Sequence, residues 1–138
     1  MSTRSNRAGF RRTRSDHAGE VAEDYVEAIE GIIAAAGECR LMALATQFGV
    51  SHVTAIKVVR RLKRDGLVAA LPRGPIRLTP KGKRLAARSR ERHAIVLQFL
   101  VALGVSKRTA KLDAEGIEHH VSLETLKAMQ MFSGDRPG

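Results

Sequence analysis

Residues 41–65, with the sequence LMALATQFGVSHVTAIKVVRRLKRD, predict two helices joined by a tight turn. Apolar residues recur at helical spacing over residues 41–48, and Gly49 with Val50 supplies the turn. Ser51 is a suitable cap for a second, basic helix that runs to about Asp65. The inward face of that helix carries Ala55, Ile56, Val59 and Leu62. A helix, a turn with glycine and a capped basic helix are typical of a helix-turn-helix.

Two short β-prone runs follow the basic helix, at residues 67–71 and 76–78. They flank the turn Pro72-Arg73-Gly74-Pro75, so we expect a hairpin with a basic tip. A hairpin in this position is the wing of a winged helix-turn-helix. A solvated hairpin tip would have the same sequence, so the wing assignment depends on the helix-turn-helix before it.

Further helices are predicted on both sides of this unit. Residues 20–36 have helical apolar spacing and a stop at Gly37, and Thr79-Pro80 opens a long helix that ends near Gly104. Ser106 caps a helix to His120, and Ser122 caps the last one. These last three helices carry more apolar surface than a winged helix could cover, which favours a dimer interface.

The predicted fold class is therefore mostly α, with an N-terminal winged helix-turn-helix and a C-terminal α-helical dimerisation region. We divide the chain into a disordered basic arm at residues 1–19, a DNA-binding domain at 20–80, and a helical metal-binding and dimerisation domain at 81–138.

The charge of the chain is concentrated in its centre. The formal net charge is +10, but residues 40–92 hold fourteen bases and two acids, whereas residues 21–39 hold five acids and no Lys or Arg. A basic surface of this density on a folded segment indicates a phosphate backbone as partner, here double-stranded DNA.

Other classes of protein are disfavoured by simple features. No apolar run approaches the length of a membrane span, and the basic leader lacks the apolar segment of a signal peptide, so we expect a cytoplasmic protein without membrane contact. The single Cys39 excludes an internal disulfide and favours a small buried residue over a zinc ligand or nucleophile.

The octapeptide DAEGIEHH, residues 113–120, suggests a metal-binding face. Read as helix, it places Glu115, Glu118 and His119 at positions i, i+3 and i+4, so two carboxylates and an imidazole share one side. A solvated acidic turn would fit this octapeptide equally well.

The order of these parts resembles the diphtheria toxin repressor family of metal-dependent regulators, in particular its manganese-sensing branch. The resemblance covers about residues 20–132 and is carried by Glu23-Asp24-Tyr25-Val26-Glu27, Leu78-Thr79-Pro80-Lys81-Gly82, Arg92-His93 followed by Gln98-Phe99-Leu100, and the octapeptide. It implies a manganese-responsive transcriptional regulator that represses metal-uptake genes.

The resemblance also implies the metal ligands, which are Asp24, Glu27, His93, Glu115, Glu118 and His119. Four carboxylates and two imidazoles without a thiolate suit a hard to borderline divalent ion. We expect Mn(II), because iron-sensing relatives carry sulfur residues where this chain has Asp24 and Glu115. We expect two ions per subunit, because two divalent ions would neutralise the four clustered carboxylates. Fe(II) is the alternative ion.

For DNA contact we expect base edges to be read by Val53 and Lys57, and phosphates to be held by Ser51, Thr54, Arg60, Arg61, Arg73 and Arg77. By helix position alone, a phosphate contact of Lys57 is equally compatible with the sequence. The predicted partners are a two-fold DNA operator and a second copy of the chain, with no small-molecule substrate. We do not expect an enzyme, because the chain has neither an HExxH motif nor a Ser/His/Asp arrangement. A winged-helix DNA-binding protein without metal sensing is the open alternative.

Overall fold

The computed structural model describes residues 18–134, which form two compact units, residues 18–87 and residues 88–134. The first unit contains α1 (Thr3–Ala36, described from residue 18), α2 (Leu41–Phe48), α3 (His52–Arg64), β1 (Val68–Ala70), β2 (Ile76–Leu78) and the start of α4 (Pro80–Ala102). The second contains the rest of α4, α5 (Lys107–Ile117), a 3-10 turn (Glu118–His120) and α6 (Leu123–Gly134). This order confirms the mostly α fold class.

The sequence predicted domain boundaries after residues 19 and 80. The basic arm, residues 1–19, lies outside the described residues except for residues 18 and 19, which are helical. The two units divide inside α4 after residue 87, whereas the sequence placed the end of the DNA-binding domain at residue 80. The disorder of the arm stays a prediction.

The helix-turn-helix forms where local chemistry predicts it. Gly49 ends α2 in the left-handed conformation, with φ of 63°, which a glycine adopts without strain. The Ser51 hydroxyl accepts a hydrogen bond of 3.1 Å from the backbone N–H of Thr54 and so caps α3. Of the four inward residues predicted, α3 buries Ala55, Val59 and Leu62, and Ile56 is half-buried.

The core of the first unit is built on α1. Val26 and Ile29 are fully buried, and the ring of Tyr25 stacks on Phe48 with 4.1 Å between centroids. A buried large aliphatic side chain stabilises a fold by roughly 1.5–3 kcal/mol. The same core includes Leu44, Val59, Leu62, Leu67, Val68, Ile76 and Ala86. Helix α1 is thereby fixed against the helix-turn-helix.

The wing is an antiparallel hairpin. Val68 pairs with Leu78, and Ala70 pairs with Ile76. The N–H of Ile76 also donates to the carbonyl of Cys39 at 2.7 Å, so the connection between α1 and α2 acts as a third extended segment. Cys39 is fully buried there, as the sequence predicted.

The junction between the wing and α4 depends on two residues of the motif at 78–82. The Thr79 hydroxyl donates to the carbonyl of Gly66 at 2.6 Å and accepts from the N–H of Gly82 at 3.1 Å, which caps α4. A Cβ atom at Gly82 would collide with the carbonyl oxygen of Leu67. Only glycine lets the first turn of α4 approach the backbone this closely.

The second unit packs α4, α5 and α6 around Val96, Ala114 and Leu126, and the rings of Phe99 and Phe132 meet edge to face at 5.5 Å. Helix α5 ends at Ile117, three residues before its predicted end, and the chain continues as a 3-10 turn. The tighter turn is typical of a helix end and leads into the extended residue Val121.

Within residues 18–134, no single helix is long and apolar enough to cross a membrane. In the same range, α2 and α3 taken together, as a pair bent by 113°, reach the required length and composition.

Candidate functional site

The outer surface of α3 is basic and exposed. Its inner face is buried in the core, so the opposite face presents Lys57, Arg60 and Arg61 to solvent. The eight residues predicted to contact DNA are all exposed in the first unit: Ser51, Val53, Thr54, Lys57, Arg60, Arg61, Arg73 and Arg77.

The start of α3 combines an apolar and a polar group. Val53 is 60% exposed and lies two residues after the cap residue Ser51. The Ser51 hydroxyl accepts from the Thr54 N–H and donates to Thr54 Oγ1 at 3.0 Å. Ser51 therefore shapes the helix start, while the proton of the Thr54 hydroxyl stays available to an outside acceptor such as a phosphate oxygen.

The tip of the wing is held by a residue that the sequence analysis did not single out. Arg40 Nη1 donates to the carbonyl of Arg73 at 3.2 Å, and its Nε donates to Glu38 at 2.9 Å. Arg73 itself has φ of 60°, a conformation that a non-glycine residue rarely adopts. This link was not visible in the sequence because it joins residues that are 33 positions apart.

A cleft of about 550 Å³ opens between α2, α3 and the wing. Its apolar lining includes Met42 and Leu71, which are 63% and 79% exposed. Its basic residues are Arg40, Arg60, Lys63 and Arg73. Apolar surface rimmed by positive charge suits a sugar-phosphate strand, which has apolar sugar faces and anionic phosphates.

Helix α1 carries a row of carboxylates along one face. Glu20, Asp24 and Glu27 follow one another at i, i+4 and i+7, and all three are half-buried. Glu27 Oε1 is buried and has no hydrogen-bond partner among residues 18–134. Glu20 was not among the predicted metal ligands, although its helical spacing of four residues from Asp24 places it on the same face.

In the second unit, the predicted ligands His93 and His119 both lie next to a third predicted ligand, Glu118. This residue is only 4% exposed. Its Oε2 lies 2.8 Å from His93 Nδ1 on α4, and its Oε1 lies 3.5 Å from His119 Nε2 in the 3-10 turn. One carboxylate is thus placed between two imidazoles, with the His119 side chain 3% exposed.

Glu115 occupies a different environment from Glu118. It lies on α5 and is exposed, whereas Glu118 follows the end of that helix and is buried. The predicted single α-helical face of Glu115, Glu118 and His119 was therefore wrong in its geometry, because the last two residues lie in a 3-10 turn. Their roles as ligands stay a prediction.

Comparison with known proteins identifies the chain. A family model described as the iron dependent repressor, metal binding and dimerisation domain matches residues 79–136. The transcriptional regulator MntR of Escherichia coli O6:H1 is 47% identical over 125 residues, which cover 91% of this chain and 81% of the relative. The chain belongs to the MntR family of transcriptional regulators.

Other relatives agree with this assignment to the MntR family. The HTH-type transcriptional regulator MntR of Lysinibacillus sphaericus is 36% identical over 104 residues, 75% of each chain. A solved manganese-dependent transcriptional repressor in complex with manganese has a TM-score of 0.71 and 31% identity, over 83% of this chain and 53% of that one. The structure of IdeR from T. acidophilum, 24% identical with a TM-score of 0.68, shares the fold.

The side chains of this MntR-family chain fit a divalent ion. The match to the metal binding and dimerisation domain includes His93, Glu115, Glu118 and His119. Glu27 offers a buried oxygen that accepts no hydrogen bond within the described range, and such an oxygen needs a cationic or donor partner. Oxygen and imidazole nitrogen are the ligands that borderline divalent ions such as Mn(II) accept.

Proposed function

We propose that this MntR-family chain is a manganese-responsive DNA-binding repressor of metal-uptake genes, which acts as a homodimer on a two-fold operator. The observation that carries the proposal is the buried carboxylate of Glu118 between His93 and His119, in the region matched by the metal binding and dimerisation domain. Such a cluster is suited to bind a cation, and the exposed basic face of α3 is suited to bind DNA.

The proposed ligands are Asp24, Glu27, His93, Glu115, Glu118 and His119. Carboxylates and imidazoles without sulfur favour Mn(II), and four carboxylates provide enough negative charge for two ions per subunit. Fe(II) is the competing ion. The role is one of binding and not of catalysis, because these ligands would occupy the coordination positions that a substrate needs.

Binding of the ion would couple the two units of the chain. Asp24 and Glu27 belong to α1, whose apolar side packs in the core of the winged helix, while the other four ligands belong to the second unit. The cation would supply the positive charge that balances these carboxylates, and the six proposed ligands would hold it. We propose that this shared binding restricts the separation of the two winged helices in the dimer to one that matches the operator half-sites.

Residues of α3 would contact the bases of the DNA, and residues of α3 and the wing would hold its phosphates. Lys57 donates to base edges in the major groove, and the exposed Val53 offers apolar contact to a thymine methyl group. Ser51, Thr54, Arg60, Arg61, Arg73 and Arg77 hold phosphates, with one strand following the cleft between α3 and the wing.

The second copy of the chain would cover the apolar surface of the second unit. Six large apolar side chains are exposed there: Val101, Leu103, Leu112, Ile117, Leu123 and Met131. Exposed apolar surface of this extent is typical of an interface. A homodimer also provides the symmetry that a two-fold operator requires.

The test is a DNA-binding titration at fixed salt, with an inverted-repeat duplex selected from a random pool in the presence of Mn(II). We expect fluorescence anisotropy to show tighter binding with Mn(II) than with Zn(II) or chelator, and Fe(II) is compared under anoxia. Binding that is equally tight with chelator would contradict the proposal and favour a winged-helix protein without metal sensing. If Fe(II) tightens DNA binding more than Mn(II) does, the protein responds to iron and not to manganese.

A further inference from the structure

Ser89 on α4 is a buried polar residue that the proposed function does not use. The residue is only 2% exposed. Its hydroxyl oxygen is buried and has no hydrogen-bond partner in the described part of the chain. A buried hydroxyl without a hydrogen-bond partner destabilises the folded state, so a partner is expected at this position.

A second serine in the same unit shows how such a hydroxyl is usually satisfied. Ser133 on α6 is half-buried, and its Oγ donates to the carbonyl of Met129, four residues earlier, at 3.0 Å. Ser89 could make the equivalent bond to the carbonyl of Leu85 but does not. The orientation of its hydroxyl is therefore not explained by its own helix.

Helix geometry places Ser89 beside a predicted metal ligand. It precedes His93 by four residues, so the two side chains share one face of α4 with their Cβ atoms roughly 5–6 Å apart. Large side chains on a helix lean toward its N-terminus, which brings the imidazole of His93 over the turn that carries Ser89. The same imidazole contacts Glu118 at 2.8 Å.

We propose that Ser89 is a positioning residue of the metal site and that its hydroxyl binds an ordered water molecule of the filled site. The inference rests on the proposed function, because the site exists only if the chain binds the ion. A serine hydroxyl is short and neutral, which suits a water-mediated role better than direct ligation. Outer hydrogen-bond partners of metal sites typically change metal affinity by about 10- to 100-fold.

The experiment compares Ser89→Ala with the matched control Ser133→Ala in the full chain. Mn(II) affinity is measured from the electron paramagnetic resonance signal of the free aqueous ion, and stability is measured by thermal unfolding with chelator. We expect Ser89→Ala to weaken Mn(II) binding by about 10-fold or more. Its unfolding temperature without metal should be unchanged or raised, because an unsatisfied hydroxyl has been removed.

Ser133→Ala should keep the wild-type Mn(II) affinity. A Ser89→Ala variant that binds Mn(II) like the wild type would overturn the inference. So would a variant that unfolds at lower temperature without metal, because Ser89 would then have a packing role. Failure of the wild type to bind Mn(II) would instead remove the proposed function, which makes the two failures distinguishable.

Discussion

His93 Nδ1 lies 2.8 Å from Glu118 Oε2, although the two residues are 25 positions apart in the chain. The contact joins the middle of α4 to the 3-10 turn after α5 and leaves a carboxylate buried beside imidazole rings. A buried carboxylate is stable only when it is paired or ligates a cation. Glu118 is therefore the residue on which the metal hypothesis can be tested most sharply.

Substitution of Glu118 by Gln should abolish high-affinity Mn(II) binding while the protein stays folded. The amide has the shape of the carboxylate and can still hydrogen-bond His93, but it carries no charge. We expect the loss of affinity to exceed the roughly 10- to 100-fold effect of outer partners of metal sites. Calorimetric Mn(II) titration measures the affinity, and circular dichroism checks the fold.

Glu124→Gln is the matched control, because Glu124 is an exposed carboxylate of the same unit. It should bind Mn(II) like the wild type. Unchanged Mn(II) affinity in Glu118→Gln would show that the buried carboxylate is structural.

Lys57 and Arg77 should respond differently to substitution by Ala. Lys57→Ala should relax the preference for the correct base pair by about 1–3 kcal/mol at one operator position. Arg77→Ala should weaken binding to all sequences and reduce the slope of log K against log salt by about one. Anisotropy titrations with operator and with single-base variants, at several salt concentrations, measure both effects.

Lys127→Ala serves as the control for both, since Lys127 is exposed on α6 in the second unit. A loss of base preference in Arg77→Ala but not in Lys57→Ala would show that the assigned roles are reversed.

Gly82→Ala should destabilise the winged helix strongly. The added methyl group would overlap the carbonyl oxygen of Leu67, which also accepts a hydrogen bond from the N–H of Thr79 at 3.1 Å. We expect a loss of more than about 2 kcal/mol in the free energy of unfolding, measured by urea denaturation. We expect Gly31→Ala on α1 to raise the free energy of unfolding instead.

Gly31 is a helical glycine, and a Cβ built there meets nothing within 4 Å. Ala at that position should therefore stabilise the fold by about 0.5–1 kcal/mol. Equal effects of the two substitutions would contradict the close approach of α4 to the wing.

Cys39 should make the fold sensitive to alkaline pH. Burial raises the pKa of the Cys39 thiol from 9.0 to about 11, so between these values the unfolded chain loses the proton and the folded chain retains it. The free energy of unfolding should be unaffected by this group below pH 9 and fall as pH rises through that window. Urea denaturation at several pH values measures the slope.

The comparison for this prediction is Cys39→Ala, which removes the thiol and leaves the rest of the chain unchanged. The wild type should lose more stability between pH 9 and pH 11 than the variant. If the free energy of unfolding falls equally with pH in both proteins, burial does not raise the pKa of the Cys39 thiol.

The features predicted best from sequence are those set by neighbouring residues. The caps at Ser51, Ser106 and Ser122 each accept the expected backbone N–H, because a cap needs only its own helix. The turn at Gly49 was also predicted, because the left-handed conformation that ends α2 depends on the glycine itself.

Features that depend on packing between distant segments were not accessible in this way. The link from Arg40 to the wing tip joins residues that are 33 positions apart in the chain. The 3-10 turn at 118–120 was also missed, since nothing in the octapeptide distinguishes it from one more α-helical turn. The family resemblance and helical spacing predicted the ligands, but neither predicted that Glu118 is buried while Glu115 is exposed.

Metal binding and operator binding should be coupled, and measuring the Mn(II) affinity with and without the operator duplex shows whether they are. Linkage requires that the operator tighten Mn(II) binding by the same factor by which Mn(II) tightens operator binding, typically about 5- to 150-fold. A non-operator duplex of equal length controls for general electrostatic effects. We predict equal factors in the two directions for the wild type. An Mn(II) affinity that is the same with operator, with control duplex and without DNA would contradict the account.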